Sequence, residues 1–140
     1  GAAHLEAWRA ALDGLLDAAE RTDGEIRAEN LDAARPLVAA LQAFARVVPV
    51  AEPLRRLTAA RVAWLESKPD VALREAEAAI EEARELAMPV DEALASLEMG
   101  RHLGFRDRQG RDALQRAQQI FEAIGARWDR DQAYEITEKA

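Results

Sequence analysis

The side chains able to do chemistry are few. Ser67 and Ser96 are the serines, His4 and His102 the histidines, and cysteine is absent. A nucleophile paired with a general base therefore has little to draw on. No GxxxxGK[ST], GxGxxG or HExxH pattern occurs, which removes the common phosphate-loop, dinucleotide and zinc-protease signatures. Glu81, Glu82 and Glu85 fall at helical spacing, where paired carboxylates could do acid–base work, but a solvated helix face is the simpler account. His102 beside Arg101 could ligate or switch; a partly exposed histidine near a helix end explains it as well. No convergent set of metal ligands and no cofactor site is legible. The chain is expected to be non-catalytic.

Composition narrows the classes further. The 140 residues suit one domain, 49% hydrophobic and 32% charged, with only 5% aromatic and a large share of alanine. Alanine buries little surface and has the highest helix propensity, so a core built on it needs close helix–helix approach. Net charge is −7. That disfavours binding to nucleic acid and to anionic membranes by this segment. No apolar run approaches a membrane span, and a cytoplasmic location is the expectation.

The elements that position these groups are organised by a repeat. Pro49-Val50-Ala51-Glu52-Pro53-Leu54 is echoed forty residues later by Pro89-Val90-Asp91-Glu92-Ala93-Leu94, and each copy lies between amphipathic, alanine-rich stretches. The same shift pairs Leu54 with Leu94, Leu57 with Leu97 and Ala60 with Gly100. In the following stretch it becomes forty-one, pairing Ala72 with Ala113, Ala76 with Ala117 and Ile80 with Phe121. The extra residue falls in a turn, where insertion is cheap. Backward, Ala39, Ala43 and Pro49 match Ala79, Ala83 and Pro89.

Helices are predicted over 4–21, 31–48, 51–67, 71–87, 89–103, 111–125 and 128–140, with 22–30 a polar connection in which Thr22 could act as an N-cap. Pro36 should start or bend its helix. Trp128, Tyr134 and Ile136 would cap the last unit or form a self-association surface. The organisation expected is an N-terminal helix and connection over 1–30, then repeats over 31–140.

This pattern resembles the tetratricopeptide repeat, whose units are two antiparallel helices with small residues at their close approach. Ala60 and Gly100 match the small residue of the first helix, and Ala72 and Ala113 the alanine opening the second. Arg56 and Ser96 stand where that family has tryptophan. The stretch from Gly110 to Ala126 looks like repeats attached to bacterial ATPase-type transcription activators of the maltose-regulator kind, and to related cyclases and kinases. The resemblance implies an all-α, short right-handed solenoid of about seven helices. In that family the first helix of each unit lines a concave surface, which places Arg61 and Arg101 there with Trp64 and Phe105 nearby. Arginine beside aromatic rings is enriched at binding hot spots. The functional expectation is an interaction module, part of a larger bacterial signalling or transcription regulator. Its expected partner is a protein or peptide of acidic character, with self-association through exposed repeat ends as a further expectation. The alternative is a small-molecule sensor domain of such a regulator.

Overall fold

The computed structural model describes residues 2–125 and residue 135. Six α-helices occur among them: α1 (Ala2–Glu20), α2 (Gly24–Ala45), α3 (Glu52–Leu65), α4 (Pro69–Glu85), α5 (Pro89–Leu103) and α6 (Arg108–Ile124). A 3₁₀ turn, Pro49–Ala51, precedes α3. Among the described residues there is no strand, and no helix is long and apolar enough to cross a membrane. The seventh helix expected at 128–140, with Trp128, Tyr134 and Ile136, lies outside the described residues. The chain divides into two compact units, one running to Glu75 and the other beginning at Ala76.

The first unit is built on α1, α2 and α3. Leu12, Leu41, Ala45, Ala51 and Leu54 form one buried cluster, against which Trp8 and Phe44 pack with ring centroids 6.2 Å apart. Leu16, Ala19, Leu31 and Ala34 form a second, closed by Val62 and Leu65. Leu5, Trp8, Leu12, Leu15 and Leu16, at helical spacing along the chain, thus face the two clusters from α1.

Two local expectations in this unit are corrected. Residues 24–30 are helical, and of the two alternatives at Pro36, a helix start or a bend, the start is excluded, since α2 runs from Gly24 through Pro36 to Ala45. Packing of Leu31 and Ala34 on one side of Pro36 and Leu41 and Ala45 on the other offsets the lost backbone hydrogen bond. Thr22 caps nothing downstream: its hydroxyl donates to the Ala18 and Ala19 carbonyls at 2.9 and 3.2 Å. The Arg27 side chain adds donors to the Ala19 and Glu20 carbonyls at 2.9 and 3.3 Å. These side chains satisfy the open carbonyl end of α1.

The backward extension of the repeat also changes meaning. Ala79 and Ala83 are fully buried, whereas their sequence equivalents Ala39 and Ala43 are exposed. α2 turns its Leu31–Ala34–Leu41–Ala45 face inward instead. The letters repeat there; the buried face does not.

In the second unit α5 and α6 form a tight hairpin. Ala93, Leu97, Leu114, Ala117, Ile120 and Phe121 make its core. Gly100 is required by contact, since a Cβ there would stand 2.5 Å from Leu114 Cγ. Gly110 is tighter still, with a Cβ only 2.2 Å from the Gly104 carbonyl oxygen. α6 opens three residues earlier than expected because the Asp107 carboxylate accepts the Gly110 N–H at 2.9 Å.

The joints share one construction. At Ser67 (φ 59°) the chain turns left-handed, Lys68 N–H bonds the Ala63 carbonyl at 2.8 Å, and Pro69 opens α4. At Ala87 (φ 55°) Met88 N–H bonds the Ala83 carbonyl at 2.8 Å, and Pro89 opens α5. Both are Schellman-type closures followed by proline at the first helical position.

Candidate functional site

The groove residues named from the sequence fall in different settings. Arg61 and Trp64 lie on α3 in the first unit; Arg101 ends α5 and Phe105 follows it in the second. Trp64 is half-buried. Arg61 is buried, and its guanidinium is engaged by α1: Nη1 lies 2.8 Å from Asp13 Oδ1, and Nη2 lies 2.7 Å from Asp17 Oδ1 and 3.4 Å from Glu20 Oε1. The side chain does bind carboxylates through both arms, but these belong to its own chain. Burial pushes the Asp13 carboxyl above its ordinary value, and the nearby Asp17 charge adds to this while Arg61 opposes it. Arg61 thus ties α3 to α1.

Arg101 remains exposed, with Nη2 2.9 Å from Glu98 Oε2 one turn earlier. His102 Nε2 sits 2.9 Å from the other oxygen of the same carboxylate. His102 is therefore placed by a helical neighbour. Phe105 is half-buried against the α5–α6 core, and the Arg111 guanidinium carbon lies 5.8 Å from its ring centroid. Arg106 and Arg108 stand exposed on the same turn. Of the serines, Ser96 is buried within α5 and Ser67 forms the left-handed joint.

One charged centre was not singled out from the sequence. Glu92 is buried at the start of α5, and its Oε2 receives Arg84 Nη2 of α4 at 3.1 Å and Arg116 Nε of α6 at 3.0 Å. Its signal was the hexapeptide echo, where Glu52 and Glu92 correspond. The two copies use their carboxylates differently. Glu52 pairs within its own helix with Arg55 and with Arg56 at 3.5 Å, which holds its carboxyl below the ordinary range. Between α3 and α4 the tie is Arg56 Nη1 to Glu75 Oε2 at 3.2 Å. The forty-one-residue shift aligns Glu75 with Arg116, so the second helix carries the acid in one pair and the base in the other.

The surface hollows are modest. One of about 180 Å³ is lined by Leu31, Arg35, Val38, Ala39, Gln42 and Val62. A polar one of about 360 Å³ lies among Gln42, Arg46, Glu52 and Arg55, and an apolar one of about 330 Å³ among His4, Ala7, Trp8, Ala11 and Leu37. Comparison with protein-family models, curated proteins and solved structures finds no match to the chain.

Proposed function

We propose that the chain is a non-catalytic protein–protein interaction module of the tetratricopeptide-like kind, belonging to a larger bacterial signalling or transcription regulator. The observation that carries the reading is the α5–α6 hairpin. Gly100 under Leu114, with Ala113 and Ala117 buried on the facing helix, supplies the small-residue approach that characterises such units. Repeats of this kind have broad surfaces built for macromolecular partners. The buried ions Arg61 and Glu92 are engaged in holding helices together, which suits a scaffold.

The test is capture of the regulator's own partner domains by the immobilised chain, comparing wild type with Arg101→Glu/Phe105→Ala. Loss of capture by the folded variant is the expected result; undiminished capture assigns the contact elsewhere. The small-molecule sensor is the second reading, since hollows of about 330 Å³ beside Trp8 and about 360 Å³ beside Arg46 fall within the range of ligand pockets, roughly 300–1,000 Å³. A thermal-shift screen against sugars and metabolites separates the two. A ligand at 100 times its Kd stabilises by about 2.7 kcal/mol.

A further inference from the structure

We infer that the α5–α6 turn is a preorganised cationic knuckle that docks an acidic, extended peptide segment. This names a surface and a partner class for the interaction module, and it rests on that reading.

The turn is unusually well fixed for a loop. Gly104 takes a positive φ of 86°, and Gly110 packs so closely on its carbonyl that no Cβ could be accommodated. The Asp107 carboxylate is held by the Gly110 N–H, and Gln109 Nε2 donates to Glu77 at 2.7 Å. Arg111 lies over the Phe105 ring, whose inner side is packed on the hairpin core. A loop already ordered loses little further entropy when a partner arrives.

Its charge opposes that of the rest of the chain. Residues 101–111 contain Arg101, Arg106, Arg108 and Arg111 against the single acid Asp107, on a chain of net charge −7. Arg106 and Arg108 flank Asp107 and are exposed, while the Asp107 oxygen is directed to the helix cap. Arginine forks take carboxylates in two-point geometry, and the exposed part of Phe105, beside Arg111, offers an apolar contact on the same turn. A local excess of positive charge on an acidic chain steers acidic segments toward it. The overall negative charge disfavours nucleic acid as the occupant.

The experiment is fluorescence anisotropy with a labelled Asp/Glu-rich peptide carrying interspersed leucines. Wild type is compared with Arg106→Ser/Arg108→Ser and with Arg35→Ser/Arg46→Ser, which makes the same charge change at exposed positions in the first unit. Circular dichroism checks that all three are folded. The inference expects saturable binding that weakens with salt, a loss of about tenfold in the turn variant, and wild-type affinity in the control variant. Equal losses in both variants, tighter binding of an oligonucleotide of equal charge, or no peptide binding at low salt would each overturn it. Retained capture of partner domains by the turn variant would overturn the knuckle while leaving the interaction module standing.

Discussion

Arg61 Nη2 and Asp17 Oδ1 meet at 2.7 Å across 44 residues of sequence, joining α3 to α1 through a guanidinium that is itself buried. Removing a buried ion's partner strands a charge, at about 3–5 kcal/mol when both ions are fully buried. Asp13 and Asp17 are half-exposed, so the stranded acids can rehydrate. Arg61→Ala should therefore destabilise the first unit by about 2–3 kcal/mol in urea unfolding. Arg101 is itself more exposed than Arg61, and His102 stays 2.9 Å from the largely buried Glu98 carboxylate that Arg101 pairs with, so Arg101→Ala should cost less, about 1 kcal/mol. Equal effects would remove Arg61 from its structural role.

The two glycines of the hairpin should separate by severity. At Gly110 the obstructing atom is the Gly104 backbone oxygen, which moves only with the chain. At Gly100 the nearest atoms belong to the Leu114 side chain, which is fully buried and has limited room to shift. Gly110→Ala should cost at least about 3 kcal/mol and Gly100→Ala about 1–3 kcal/mol. Thermal unfolding monitored by circular dichroism gives the order.

Three positions should gain from substitution. Ala87 holds a left-handed φ that a Cβ disfavours, and Ser67 does the same. Ala87→Gly and Ser67→Gly should each stabilise by about 0.5–1 kcal/mol. Gly14 sits inside α1 with nothing within 4 Å of a built Cβ, so Gly14→Ala should add about 0.5–1 kcal/mol. Denaturant midpoints that fail to rise would contradict these assignments.

Glu92 predicts non-additivity. With Arg84 or Arg116 replaced by alanine, the other still faces the carboxylate, so each single change should cost about 1 kcal/mol. The double variant leaves Glu92 buried without its bases and should cost about 3 kcal/mol or more, exceeding the sum. A double-mutant cycle that closes to zero would show that the two contacts are independent.

Acid stability should depend on Glu52. Its carboxyl is held below the ordinary 4.5, first by the Arg55 hydrogen bond, so its contribution is present above pH 4.5 and is lost as pH falls through the lower folded value. Asp13 is shifted upward from 3.8, so its contribution has the opposite sense: full below 3.8 and lost as pH rises through the folded value. Glu52→Gln should therefore flatten the loss of stability below about pH 4.5 relative to wild type. Urea titrations between pH 3 and 6 read this directly.

Much of the helical layout is legible in the residues. Proline at 49, 69 and 89 opens a helical segment each time, and the apolar spacing of Leu12, Leu16, Leu114 and Phe121 identifies inner faces because one helical period is local. The turn chemistry was less legible. Asp107 caps a helix that starts at Arg108, and Arg27 reaches back to the carbonyl end of α1, since each depends on which backbone groups a side chain meets in the folded chain.

What the sequence by itself determined is the helical class, the forty-residue echo and the small residues that let α5 and α6 approach. These follow from propensity and periodicity, which operate within a few turns. Only the tertiary structure decided that Arg61 pairs with the carboxylates of α1, that Glu92 gathers Arg84 and Arg116, and that Ala39 and Ala43 face outward while Ala79 and Ala83 are buried. A charged side chain pairs with whatever packing brings within about 3 Å, and a helix rotates to bury its larger apolar face. Neither choice is made by local sequence.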